Sequence, residues 1–214
     1  MRFSMFAMFA AAVALAASGC SSSSQPRVNM KEATRVVGTD NDVRVDAQLY
    51  ADQINSSTPI GIVYQIQNDR KEAIAIAANQ TDASFDRQSQ TITVNIGAEI
   101  PGSKGVPRLT LIEPGQKKGF SVGVRIAVAV PTGSRLAPTP RYLRIRVNFL
   151  NDAEPFQGVI SASNQNVEPV SLPKGLFTRW IDCNESVETN TIPVYWSTAP
   201  AIANFGGVPA AGSY

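Results

Sequence analysis

The sequence predicts an all-β protein, an antiparallel β-sandwich of about seven or more strands. From residue 43 to residue 149, apolar and polar residues alternate with the two-residue period of half-buried strands. Helical spacing is nearly absent over this range, and clusters rich in Pro, Gly, Asn and Asp separate the alternating segments. Because each such sheet has one apolar face, two sheets are expected to cover one another.

The segments that carry the alternation follow one another in chain order. They are Val43–Leu49, Ile60–Asn68, Ala73–Ala77, Thr91–Ile96, Leu109–Ile112, Phe120–Val130 and Arg141–Phe149. The last two are expected to pair as a long hairpin. Residues 79–90 are predicted to be a polar loop. Pro114-Gly115 predicts a tight turn, since proline presets the backbone that the turn needs.

The pattern weakens after Asn151. Residues 156–160 are a further candidate strand, and the large apolar residues of Leu176–Ile181 are expected to cap the sandwich. Ile192–Trp196 is predicted to be a last edge strand, because Pro193 fits only at an edge or at a strand start. These patterns divide the chain into three parts. They predict a sandwich over residues 41–160, an extension packing on it over 161–196 and a flexible Ala/Pro/Gly tail over 197–214.

The first twenty residues combine one basic residue, an apolar run and a cysteine. Arg2 is followed by the apolar run Met5–Ala17, which is too short to span a bilayer, since a spanning helix needs roughly 20 apolar residues. The small residues Ala17-Ser18-Gly19 lead up to Cys20. This arrangement resembles the lipobox signal peptide of bacterial lipoproteins. An ordinary secretory signal peptide with an incidental cysteine is the alternative.

The lipoprotein resemblance implies a membrane anchor. Residues 1–19 would be removed, and Cys20 would carry a diacylglycerol on its thiol and an acyl chain such as palmitate on its new amino terminus. Residues 20–40 would form a tether that starts with the polar run Ser21–Ser24. Ser21 follows the cysteine in place of Asp, which in enteric-type lipoproteins implies transfer to the outer membrane. The body would face the periplasm or the cell surface, and no other cofactor is expected.

Three features of the central region resemble bacterial immunoglobulin-like modules. They are the apolar strand that ends in Asn68, the Leu-x-Leu-Ile-x-Pro-Gly element at residues 109–115 and the alternating strand from Phe120. The resemblance covers residues 41–150. Asn55-Ser-Ser-Thr-Pro59-Ile60 before an Ile/Val/Tyr strand is similar to the small outer-membrane lipoprotein of type VI secretion, and the Pro-Gly element is similar to the amino-terminal domain of periplasmic pilus chaperones. These likenesses imply protein contacts in a secretion or pilus-type assembly.

Composition excludes much chemistry. The chain has no histidine, so neither a Ser-His-Asp relay nor an imidazole zinc site can be built, and no enzyme is predicted. Once Arg2 is removed, 18 basic residues face 17 acidic ones, which is no footprint for nucleic acid. If Cys20 carries lipid, Cys183 has no partner within the chain. It is predicted to be a buried, inert thiol, with an intermolecular disulfide as the alternative.

Asp40, Asp42 and Asp46 form the one carboxylate cluster of the sequence. Carboxylate oxygens suit calcium, but the turn glycine and the bidentate glutamate of a calcium loop are missing. The three residues are therefore only weak metal candidates, and a hydrated strand entry is the preferred interpretation.

Strand geometry predicts one surface patch. If Val122, Val124, Ile126 and Val128 face the core, Arg125 points outward, and on the returning strand Arg144 and Arg146 point outward as well. In the expected hairpin, these arginines and Tyr142 share one sheet face, where they could bind a carboxylate or phosphate on a partner. A solvated face with cross-strand ion pairs is the alternative.

Together these observations predict a non-enzymatic lipoprotein of the outer membrane that acts as a scaffold by binding another envelope protein. The competing hypothesis is a lipoprotein that binds an anionic glycan, lipid or peptide, or that has catalytic activity, in a cleft.

Overall fold

The computed structural model describes residues 34–55, 57–101, 106–126, 139–165, 172 and 174–197. Over these residues the chain is an all-β sandwich of two main sheets, as predicted from the alternation. The signal peptide, Cys20, the tether up to residue 33 and the tail from residue 198 lie outside the described residues.

The described strands and helices follow in chain order. The strands are β1 (Arg35–Asp40), β2 (Val43–Leu49), β3 (Gln53–Ile54), β4 (Ile60–Asn68), β5 (Ile74–Ile76), β6 (Thr81–Asp86), β7 (Thr91–Ile96), β8 (Thr110–Ile112), β9 (Lys117–Val124), β10 (Tyr142–Leu150), β11 (Asn184–Glu188), β12 (Ile192–Pro193) and β13 (Tyr195–Trp196). A 3₁₀ turn covers Glu154–Phe156, and the two helices are α1 (Gln157–Asn164) and α2 (Lys174–Cys183).

One sheet has four strands in the order β1-β2-β4-β9, and all of its neighbours are antiparallel. Asn41 and Asp42 join β1 to β2 with positive φ angles of 48° and 56°. Two consecutive positive φ angles are the requirement of a tight two-residue hairpin turn, and Asn and Asp tolerate them better than most residues. The first strand therefore lies inside the range 20–40 that the sequence assigned to the tether.

The other sheet has seven strands, with β10 at its centre. One edge of β10 pairs with β7, in parallel, and with β5. Its opposite edge pairs with β11 and β12. Beyond β7 lies β6, and beyond β5 lies β8. A small third sheet joins β13 to β3 in parallel.

The inner faces of the two main sheets share one apolar core. Its residues alternate along every long strand, so that Val43, Val45, Ala47 and Leu49 of β2 and Leu143, Ile145, Val147 and Phe149 of β10 are all buried. Burial of this kind stabilises the fold by about 25 cal/mol per Å² of apolar surface removed from water. The alternation predicted for these two strands is confirmed.

A second core lies on the outer side of the seven-stranded sheet. The 3₁₀ turn and helices α1 and α2 cover Ala75 and Leu150 there with Phe156, Ile160 and Trp180. The rings of Phe156 and Trp180 meet edge to face, with centroids 5.7 Å apart. Helix α2 thus caps one part of the sheet, as predicted for Leu176–Ile181, although Phe177 and Ile181 in that segment face solvent. None of the described helices is long and apolar enough to cross a membrane.

The predicted hairpin of Phe120–Val130 with Arg141–Phe149 is wrong. Strand β9 lies in the four-stranded sheet and β10 in the seven-stranded one, so the two segments do not pair. Alternation fixes which side chains point inward, but two strands on opposite walls of one core have the same pattern as two neighbours in one sheet.

Two local predictions are also wrong. Within the predicted loop at 79–90, Thr81–Asp86 forms β6, an edge strand whose Ala83 and Phe85 pack against the core while its other face is polar. The candidate strand at 156–160 is instead the end of the 3₁₀ turn and the start of α1. Phe156, Val159 and Ile160 are buried there at the i, i+3 and i+4 spacing of a helix face.

Candidate interaction surface

Helices α1 and α2 cover only part of the outer face of the seven-stranded sheet. The remaining part presents polar side chains from β6, β7, β10 and β11. Four of them, Tyr142, Arg144, Arg146 and Glu188, are called the β10 patch below. Tyr142, which begins β10, is 43% exposed. Its neighbours across the strands are Thr91 and Pro193.

The two arginines of the β10 patch share one carboxylate. Arg144 Nη1 lies 2.8 Å from one oxygen of Glu188, and Arg146 Nε lies 3.3 Å from the other. The backbone register explains this, because β11 places Glu188 directly opposite Arg146. Arg144 Nε also donates to the Thr93 hydroxyl of β7 at 3.0 Å. All three charged side chains are more than a third exposed, so the pairs contribute little stability, on the order of 0–1 kcal/mol each.

The patch thus has two cations, one carboxylate and one aromatic hydroxyl. Its residual positive charge is offset at its rim by Asp86 of β6, which interacts electrostatically with Arg144. The pKa of Asp86 lies below its usual value, chiefly because the Ser89 hydroxyl and the Gln88 backbone N–H donate hydrogen bonds to it. Such a surface suits a partner that offers both hydrogen-bond donors and acceptors.

Arg125 does not belong to this patch. It follows β9, in the four-stranded sheet, and is exposed at the end where Val124 pairs with Ile60. The expectation that Arg125 shares one face with Arg144 and Arg146 is therefore wrong, because it rested on the hairpin that the two strands do not form. The two arginines of β10 do share a face, as predicted.

The three aspartates of the predicted carboxylate cluster have different surroundings. Asp40 and Asp42 are exposed at the turn between β1 and β2. Asp46 is only 2% exposed, and its carboxylate accepts hydrogen bonds from Arg35 and Arg44. Burial by itself would raise the pKa of Asp46, but the two guanidinium groups outweigh it and lower the pKa below its usual value. Among the described residues, no group of three acidic, Cys or His side chains is placed to hold a metal ion.

Cys183 ends helix α2 and is buried in the second core. Burial raises the pKa of its thiol, and the negative charge of Asp152 raises it further. Burial agrees with the predicted environment of this residue. A protonated thiol is a poor nucleophile, because the thiolate is the reactive form.

Two open clefts lie on the described surface. One, of about 220 Å³, borders the β10 patch and is lined by Gln80, Asp82, Asn95, Glu99 and Asn148, among others. The second, of about 350 Å³, lies beside Asp42, Asp69, Arg70 and Glu185. Arg70 and Glu185 form an ion pair across it at 2.9 Å.

Sequence reasoning missed Glu188 and the Arg35–Asp46–Arg44 cluster. Glu188 lies in Asn184–Glu188, where only Val187 is buried, so no alternation marks a strand. Asp46 alternates with Val45 and Ala47, and the pattern assigned it to solvent, but Arg44 of the same strand and Arg35 of β1 enclose its carboxylate. The signal that was available is a basic residue two positions before an acid on one strand, with a second basic residue on the preceding strand. Comparison of the chain with protein-family models, with curated proteins and with solved structures finds no match.

Proposed function

We propose that this chain is a lipoprotein of the bacterial outer membrane whose sandwich is a non-catalytic scaffold. In this proposal Cys20 carries the lipid, and the β10 patch binds another protein of the cell envelope. The lipobox-like segment that ends at Cys20 supports the anchor. The absence of histidine from the sequence supports a non-catalytic role.

The observation that carries the proposal is the composition of the β10 patch. Tyrosine and arginine are the side chains that, with tryptophan, most often dominate the binding energy of protein interfaces. Tyr142, Arg144 and Arg146 lie on one strand at i, i+2 and i+4, so their side chains leave the same face of a sheet that is held rigid by strands on both edges. A rigid face loses little conformational entropy when a partner binds.

A photo-crosslinking amino acid at Ser84 tests the partner. Ser84 is exposed and lies in the same cross-strand row as Thr93 and Arg144, so the substitution leaves the patch intact. The matched control is Ser121, an exposed serine on the outer face of the four-stranded sheet. After irradiation of intact cells, we expect one reproducible protein adduct from Ser84 that Ser121 does not give.

Replacement of both arginines in the crosslinking chain, Arg144→Ala and Arg146→Ala, should abolish the Ser84 adduct without lowering the amount of folded protein. The same adducts from Ser84 and Ser121, or none from Ser84, would contradict the scaffold proposal. Mass analysis of the amino-terminal peptide tests the anchor separately. An unmodified Cys20 on a freely dissolved chain would refute it.

The cleft beside the patch is the basis of the second candidate function, ligand binding. Asn148 is 3% exposed, and its amide nitrogen donates to the carbonyl oxygens of Ile96 and Gly97. Its side-chain oxygen, which these bonds orient, has no hydrogen-bond partner in the described structure. Because Asp82 and Glu99 also line this cleft, it favours a neutral or cationic ligand over the anionic one expected from the sequence. Calorimetric titration with neutral and with anionic glycans tests this preference, and we expect the neutral glycans to bind more tightly.

A further inference from the structure

Two tyrosines are the most exposed large apolar side chains of the described surface. Tyr50 is 71% exposed and Tyr195 is 69% exposed. The ring of Tyr50 lies over Gly61 of β4, where a Cβ atom would come within 2.4 Å of it. Glycine at this position therefore lets the ring lie flat along the outside of the sheet with one face in solvent.

Both tyrosines lie at the same end of the sandwich. The Tyr50 N–H donates to the Gly61 carbonyl oxygen at 3.0 Å, directly after the end of β2. Tyr195 begins β13, which pairs with β3, and its N–H donates to the carbonyl oxygen of Asp52 at 2.9 Å. The hydrogen-bond partner of Tyr195, Asp52, is thus only two residues along the chain from Tyr50.

The chain that leads back to Cys20 leaves from this end. Thr34, the first described residue, lies beside the residue before Tyr50, because the Leu49 N–H donates to the Thr34 carbonyl oxygen and the Thr34 hydroxyl donates to the Leu49 carbonyl oxygen. Residues 20 and 34 are 14 positions apart. At about 3.5 Å per residue, the distance between these two positions is at most roughly 50 Å.

The charges at the two ends differ. At the tyrosine end, Arg87, Arg125 and Arg141 are exposed, together with the acids Asp52 and Asp86. At the opposite end, the four carboxylates Asp42, Asp69, Glu72 and Glu185 line the second cleft with Arg70 and Lys71, and the turn before β9 adds exposed Glu113 and Lys117. A surface rich in anionic lipid phosphates attracts the first end and repels the second.

We propose that the end of the sandwich marked by Tyr50, Tyr195 and Arg125 rests on the membrane surface, with the two tyrosines in the lipid headgroup region. A tyrosine suits this position because its ring is apolar and its hydroxyl remains in contact with water. The inference rests on the proposed lipid anchor. It orients the body so that the β10 patch stands beside the membrane and the acidic end points away from it.

The test uses the lipidated full chain in vesicles of phosphatidylethanolamine and phosphatidylglycerol with brominated acyl chains. A polarity-sensitive fluorophore is attached through Asp52→Cys, beside the tyrosines, or through the matched control Glu113→Cys at the opposite end. Both replace an exposed acid. The chain also carries Cys183→Ala, so that the label has one site.

Bromine should quench the label at position 52 several-fold more strongly than the label at position 113. Adding Tyr50→Ser and Tyr195→Ser should remove most of the difference while the chain still floats with the vesicles. Equal quenching at the two positions on floating protein would overturn the orientation and leave the anchor standing. Protein that does not float and has an unmodified Cys20 would overturn both. If the label at position 52 is shielded from water in native membranes but is not quenched on these vesicles, a protein covers this end, and the proposal is overturned.

Discussion

The hydroxyl of Tyr64 donates a hydrogen bond to the carbonyl oxygen of Ala78 at 3.0 Å, inside the core that the two sheets share. Tyr64 lies on β4 of the four-stranded sheet, and Ala78 follows β5 of the other sheet, so this bond joins the two walls of the sandwich. Phe120 stacks on the Tyr64 ring with centroids 5.1 Å apart. Burial raises the pKa of Tyr64, which keeps the phenol protonated and able to donate.

Tyr64→Phe should lower the free energy of unfolding by about 1–2 kcal/mol, because it keeps the ring but leaves the buried Ala78 carbonyl without this donor. Urea unfolding followed by circular dichroism measures the change. Tyr195→Phe, which removes an exposed hydroxyl, is the control and should stay within about 0.5 kcal/mol of the parent chain. Equal effects of the two substitutions would mean that the hydroxyl does not join the sheets.

Asp46→Asn should lower the free energy of unfolding by about 1–3 kcal/mol, because loss of one member of a buried pair is costly. The substitution keeps the shape of the side chain but removes the charge that Arg35 and Arg44 share. The cost is below that of a fully buried pair, because the Arg35 and Arg44 side chains remain 20% and 40% exposed. Asp42→Asn, at an exposed turn position that asparagine tolerates, is the control. A comparable loss of stability in both variants would show that the ion pairs of Asp46 with Arg35 and Arg44 do not stabilise the fold.

The same carboxylate should determine part of the acid sensitivity of the fold. Its pKa is lower in the folded chain than in the unfolded chain, where an aspartate has a pKa of about 3.9. Its contribution is therefore fully present above that value and is lost as the pH falls through the folded pKa. We expect the stability gap between the parent chain and Asp46→Asn to narrow as urea titrations move from about pH 6 towards about pH 3. A gap that stays constant over this range would exclude Asp46 as the titrating group.

The sequence was sufficient for strands with one fully apolar face. In β2 and β10 every inward residue is apolar, so alternation alone identifies both the strand and its face. It was not sufficient for β6, because an edge strand with few apolar inward residues has almost the composition of a polar loop. Alternation also does not show which strands pair with each other. The separation of Arg125 from Arg144 depends on which strands pair to form each sheet, and no local pattern encodes that.

Cys183 should react slowly with a thiol reagent while the chain is folded. Burial and the charge of Asp152 both disfavour the thiolate, which is the reactive form. In a chain with Cys20→Ala, we expect the folded protein to react at least on the order of tenfold more slowly than the same chain in urea. Ser84→Cys added to that chain supplies an exposed comparison thiol. Equal rates for the two thiols in the folded state would show that α2 does not cover Cys183.

Gly97 and Gly158 should respond in opposite ways to alanine. Gly97 follows β7 with a φ of +82°, and a Cβ atom there would lie 2.3 Å from the Asn148 carbonyl oxygen. Gly97→Ala should therefore cost about 2 kcal/mol or more, because it combines a strained backbone with a clash against a central strand. Gly158 lies in helix α1, and a Cβ atom added there would meet nothing within 4 Å, so Gly158→Ala should stabilise the chain by about 0.5–1 kcal/mol. Urea unfolding of the two single variants measures both signs, and stabilisation by Gly97→Ala would refute the close approach of β7 to β10.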